Sequence, residues 1–209
     1  MKITDAFRHC SQGIDFVALD LEPSVVCGIT VTGAIEYVND AWWRFARANG
    51  ARWEEGQWGL GASVLDVTPP PLRPFYESLY ARTSQRGVPM VHFYDCSSAE
   101  LKRQFGVRLH PLAEGRLLLV HALVAELPHG EEGLGWFEPR YRQAWGPVVQ
   151  CAHCRRVQRV GAAAHWDWVP ELVRVPRLPV SHGLCQPCFE YHYRQPPEAS
   201  PGSPPRGQR

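Results

Sequence analysis

The sequence predicts an α+β protein: one five-stranded antiparallel sheet with flanking helices, followed by a small cysteine-rich module. Three observations predict it. Two strand-like runs precede a pair of helical patterns and three more follow them. Four of the seven cysteines fall in two C-x-x-C pairs towards the C-terminal end. Charge is also divided unevenly. The 209 residues carry 22 basic and 21 acidic groups, yet residues 1–139 hold 12 and 17 of them while residues 140–209 hold 10 and 4. That near-zero sum argues against a chain that binds polyanions along its whole length. At 44% hydrophobic residues, wholesale disorder is excluded as well.

The elements follow in order. Residues 1–22 read as a helical or irregular lead-in. Val25–Thr30 is a buried strand, Thr32-Gly33 a turn, and residues 34–38 the returning strand of a hairpin. Asn39 or Asp40 caps a helix over 41–48 that stops at Asn49-Gly50, with Trp42, Phe45 and Ala46 on the sheet side. A second helix spans 72–85. Pro74 is tolerable there because it falls in the first turn, and Gly87 is the stop. Strands over 88–95, Leu101–Pro111 and 116–123 complete the sheet, the last two joined at Glu114-Gly115. These elements bound a domain at 23–127. Residues 128–147 read as a linker, 148–194 as the cysteine module, and 195–209, rich in Pro, Gly, Ser and Arg, as a disordered tail.

Gly33-Ala34-Ile35-Glu36-Tyr37-Val38-Asn39-Asp40-Ala41-Trp42 resembles the hairpin-to-helix passage of PAS sensory domains. Residues 61–67 are similar to that family's short mid-domain helix. Phe93-Tyr94-Asp95-Cys96 and Arg108-Leu109-His110-Pro111, with Leu118-Leu119-Val120-His121, look like its closing strands. The resemblance implies a PAS-like sheet and a cavity lined by Tyr37, Trp42, Cys96 and His121. It also implies a lead-in, residues 1–22, that can serve in dimerisation. Family members hold heme, flavin, a metabolite or nothing. No Asn-Cys-Arg-type flavin motif occurs and the long helix carries no histidine, so heme or another ligand is not expected. His92, His110 and His121 on strands are the residues that could ligate iron.

Cys151, Cys154, Cys185 and Cys188 carry the strongest signal. Each C-x-x-C turn points two thiolates to one side, and two such knuckles complete a tetrahedron around zinc at Zn–S distances of about 2.3 Å. Disulfides, a redox dithiol and a rubredoxin-like iron site are the alternatives. Arg155 and Phe189 stand where the iron site carries glycine. A hairpin over 157–169 and a short helix from Phe189 give a treble-clef- or zinc-ribbon-like order. His182 and His153 are candidates to donate to a ligand sulfur or to replace a thiolate. The passage Ser181-His182-Gly183-Leu184-Cys185-Gln186-Pro187-Cys188 resembles a small C-terminal module of bacterial PAS and receiver-type signalling proteins, which implies a metal-binding accessory rather than an activity.

No phosphate-binding loop, nucleophile elbow or kinase motif is present, so an enzyme is not expected. The expected function is a cytoplasmic bacterial sensory protein acting by protein–protein interaction, with a protein partner or a second copy of itself, zinc as its metal and no membrane contact. The alternative is a transcriptional regulator that binds nucleic acid through Arg155, Arg156 and Arg159.

Overall fold

Alternation in the middle of the chain builds one antiparallel sheet, and the lead-in adds a strand to it. The computed structural model describes residues 2–48, 58–129, 133–142, 146–174 and 179–194. Lys2–Ile3 forms β1, and α1 (Asp5–Cys10) and α2 (Phe16–Leu21) follow. Thr4 caps α1 by accepting from the Phe7 amide, and Asp15 caps α2 by accepting from Val17 and Ala18. Then come β2 (Val25–Thr30), β3 (Ile35–Val38), α3 (Asp40–Ala48), α4 (Arg73–Arg86), β4 (Met90–Asp95), β5 (Leu101–Pro111) and β6 (Arg116–Pro128). The sheet order is β1-β3-β2-β6-β5-β4, so six strands stand where the sequence reading expected five.

Each face of the sheet has its own apolar cluster. On the inner face, Cys27, Ile29, Val38, Val107, Leu109 and Leu119 pack under α3 and α4 through Trp43, Leu79 and Tyr80. On the outer face, Phe7 and Phe16 of the lead-in cover Val26, Tyr37 and Leu118. Phe7 stacks on Tyr37 at 6.0 Å and lies over Gly28, where an added Cβ would fall 2.1 Å from the Phe7 ring. The lead-in is thus docked on its own sheet. Burial of two phenylalanines contributes about 3–6 kcal/mol of transfer free energy to that contact.

Asn39 joins three elements. Its Oδ1 accepts from Val26 N and Trp42 N, both at 3.0 Å, and its Nδ2 donates to Leu19 O and Ser24 O. The same side chain caps α3, starts β2 and holds the end of α2. Gly87, at φ 64°, ends α4 in the left-handed conformation that glycine adopts without steric cost.

Several expectations shift. Residues 61–67 form turns, with an Ala34–Ser63 bridge, rather than a helix. The Ile35 N–H donates to Ala62 O and the Gly61 N–H to Ile35 O, so backbone pairing with the edge of the sheet wins over helix formation. Within the expected linker, β6 runs on to Pro128 and α5 spans Glu138–Tyr141, while residues 130–132 and 143–145 lie outside the described residues. Tyr141 is buried among Val148, Val157, Val169 and Leu172, where its Oη donates to Asp167 at 3.0 Å. The expected helix stop at Asn49-Gly50 and the tail at 195–209 lie outside the described residues.

The C-terminal module contains β7 (Val148–Cys151), β8 (Val157–Arg159), β9 (Ala162–Asp167), α6 (Pro170–Arg174), β10 (Val180–Gly183), α7 (Gln186–Cys188) and a π-helical turn over Phe189–Tyr193. The β8–β9 hairpin lies within the expected span. The parallel pairing of β10 with β7 and the helix α6 are additions to that reading. His129 stacked on Trp168 at 4.1 Å and Arg174 paired with Glu100 at 2.8 Å fasten this module to the sheet domain.

Candidate metal centre

The two knuckles are built by different strands. Cys151 ends β7, and the turn through Cys154 closes with the Arg155 N–H donating to Cys151 O at 3.0 Å and the Cys151 N–H to Arg156 O at 2.8 Å. Arg155 occupies the left-handed region at φ 63°, a position that favours glycine. Cys185 follows β10, which the Ala152 N–H ties to the first knuckle by donating to Gly183 O at 2.8 Å. Cys188 sits one helical turn further on. The four sulfurs lie within 4.8 Å of one another.

Two of their separations are 3.7 Å (Cys151–Cys185) and 3.8 Å (Cys154–Cys185). A tetrahedron with metal–sulfur bonds of about 2.3 Å has edges of about 3.8 Å. The four cysteines are therefore positioned to bind a metal ion. Crowding controls their protonation. Cys151 is driven towards the thiolate by hydrogen bonds from Cys154 and Cys188, and that thiolate pushes the Cys154 and Cys188 thiols up. A cation at the centre would offset the charge of neighbouring thiolates.

The two candidate histidines stay out of the cluster. His182 is exposed on β10, and the donor to sulfur is instead the Cys185 backbone N–H, 3.4 Å from Cys151 Sγ. His153 lies between two ligands, and a residue at that place in a knuckle turns away from the sulfurs. It is buried against the sheet domain instead. Its Nδ1 shares a 2.7 Å hydrogen bond with Tyr193 Oη, its Nε2 lies 3.4 Å from Asp95 Oδ2, and its ring stacks on His192 at 3.9 Å. His192, Tyr193 and Asp95 were not singled out from the sequence. The aromatic run Phe189-Glu190-Tyr191-His192-Tyr193 just after the second knuckle was the available signal.

A cavity of about 370 Å³ lies between the inner face of the sheet, α3, α4 and this knuckle. Trp42, Cys96 and His121 line it, and Ala152, His153 and Tyr193 line one side. Trp42 is fixed by Nε1 donating to Trp58 O at 3.1 Å. His121 shares a 2.9 Å hydrogen bond with Tyr94 Oη, and burial pushes its pKa down to about 4. Burial also pushes the Cys27 thiol up to about 12.

Tyr37 does not reach the cavity. Strict alternation would set it on the same face as Ile35, but Gly28 pairs with Tyr37 and Ile29 with Ile35, so Glu36 is the extra residue of a β-bulge. The bulge turns Tyr37 to the outer cluster. The other strand histidines lie elsewhere on the sheet, and His92 Nε2 is buried without a hydrogen-bond partner among the described residues. His92 lies against Phe75 at 4.7 Å, with its pKa lowered to about 4 by burial and by His192 and His153, and His110 is lowered by burial and Arg108.

No protein-family model matches the sequence, and no curated protein matches it. Among solved structures, the PAS domain of BvgS from Bordetella pertussis is similar, with 18% identity over 52% of this chain and 82% of that one at a TM-score of 0.41. A domain of an HTR-like protein from Haloarcula marismortui is 15% identical over 50% of this chain and 100% of that one, at 0.38. The photoactive yellow protein domain of the sensor histidine kinase Ppr from Rhodospirillum centenum is 15% identical over 53% and 94%, at 0.37.

Proposed function

We propose that this chain is a bacterial sensory protein of the cytoplasm, built from a PAS-like domain and a four-cysteine zinc module, which signals by binding a protein. The observation that carries the proposal is the four-sulfur cluster set directly against a cavity-bearing α+β domain. Softness and closed tetrahedral geometry favour zinc over hard cations. The free thiols of Cys10 and Cys27, both buried, suit a reducing compartment. Among the described residues, no helix is long and apolar enough to cross a membrane.

A surface for self-association supports the interaction reading. Val91, Phe93 and Val124 are about half exposed on the outer face, beyond the part that the lead-in covers. Gly106 between them leaves room for the Phe93 and Val124 side chains to lie across the strand. Basic charge supports the nucleic-acid alternative less well, because Arg159 makes a two-bond ion pair with Asp167 at 2.6 and 2.9 Å.

Metal analysis with an absorption spectrum tests the first part, the expected result being about one zinc per chain and no visible bands. Iron with visible bands would overturn it. Light scattering after size exclusion tests the second. A dimer that Phe93→Glu converts to monomer is expected, and a monomer at high concentration in the unmutated protein removes self-association.

A further inference from the structure

The metal centre and the cavity share a wall. Ala152 and His153 sit between the two ligands of the first knuckle, Tyr193 follows the second knuckle, and all three face the cavity opposite Cys27 and Tyr94. The 2.7 Å bond between His153 Nδ1 and Tyr193 Oη ties one knuckle to the other. The Tyr193 ring stands edge-on to Phe75 of α4 at 5.0 Å, and His153 Nε2 reaches to 3.4 Å from Asp95 Oδ2 at the end of β4. The contact of this wall with the sheet domain therefore depends on how the two knuckles are spaced. Cys151 and Cys185 are 34 residues apart in sequence, and apart from the metal their proximity depends on the four-residue pairing of β10 with β7.

We infer that the four-cysteine module is a metal-dependent wall of the cavity, held in place when the metal joins both knuckles and withdrawn when it leaves. The link requires that the cysteines hold a metal, as proposed above. Its physical content is a coupling between two sites through one packed contact. Loss of the ion frees the knuckles, the His153–Tyr193 bond goes with them, and the cavity side of β2 becomes reachable.

Cys27 reports on this directly. It is a fully buried, non-ligand thiol facing the cavity from β2. The experiment is alkylation of the full-length protein by iodoacetamide, read peptide by peptide in a mass spectrometer with and without a zinc chelator, alongside amide exchange of β2 and β6. Cys27 is expected to react slowly in the metal-loaded protein and about tenfold or more faster after chelation, while β2 and β6 amides stay protected. His153→Ala, with its metal content unchanged, is expected to speed Cys27 alkylation severalfold. Equal Cys27 rates with and without metal would overturn the coupling. So would loss of β2 and β6 protection on chelation, because the ion would then hold the whole fold rather than one wall. A chain that takes up no metal defeats the metal reading instead. In that case His153→Ala decides the wall alone: faster alkylation keeps it and an unchanged rate removes it.

Discussion

Gly28 shows how one missing side chain can set an architecture. Phe7 occupies the space above it, so Gly28→Ala forces the ring or the strand to move, at a cost of about 1–3 kcal/mol. Phe7→Ala costs about 3–5 kcal/mol by leaving a cavity. In the double variant the added methyl group meets no ring, so the two losses are expected to sum to less than their separate values, which urea unfolding in a double-mutant cycle would measure. His121 offers a second test at this scale. Its folded-state pKa of about 4 lies below the ordinary 6.5, so between those values the unfolded chain binds a proton that the folded chain refuses. Stability is then fully present above pH 6.5, falls as the pH drops, and levels off below about pH 4. The full shift corresponds to about 3 kcal/mol, which is the upper bound of the expected loss. Denaturation at pH 7 and pH 4 should show this loss in the unmutated protein and lack that part in His121→Gln.

Elements were legible in the sequence wherever a local signal fixed them. The β5 bounds, the Gly87 stop and a cap of α3 at Asn39 or Asp40 all follow from alternation and capping chemistry, and the hydrogen bond from Trp42 N selects Asn39. Asn39→Ala tests the last of these. It removes the cap and leaves buried amides and carbonyls of three elements unpartnered, at an expected cost of about 2–4 kcal/mol in chemical denaturation, against about 1 kcal/mol for a cap alone. Elements were missed where a distant partner decides. Strand β1 has two residues and exists only because β3 offers an edge, and residues 61–67 gave up a helix for the same edge. Tyr37, which the resemblance assigned to the cavity, lies on the outer face because a bulge at Glu36 breaks the period, and nothing in the residue types marks that bulge. The cysteine ligands were readable since their spacing is their chemistry. The inward turn of His153 was not, because its partners Tyr193 and Asp95 come from two other segments.

At the scale of the molecule, the charge division along the sequence marks two modules, but it does not show how firmly they are joined. The segment 128–147 looks like a tether by composition. Tyr141 within it is part of the C-terminal core, and the His129–Trp168 and Arg174–Glu100 contacts fix that core to the sheet domain. The two parts should therefore melt together when metal is bound. Chelation is expected to split the calorimetric transition into an early one for the C-terminal module and a later one for the sheet domain. A single unshifted transition would mean that the sulfur cluster adds nothing to stability.

The parallel pairing of β10 with β7 also sets an order of assembly. The first pair of cysteines, with the β8–β9 hairpin beside it, can form from neighbouring residues, whereas Cys185 arrives only after a loop of 34 residues has closed. During synthesis there is an interval in which Cys151 and Cys154 stand as a bare dithiol without their partners. An oxidant acting in that interval can join the two sulfurs and abolish the site, although the same oxidant meets no free pair once the ion is in place. If the cysteines hold an ion as proposed, the newly made chain is thus more vulnerable to oxidation than the finished protein.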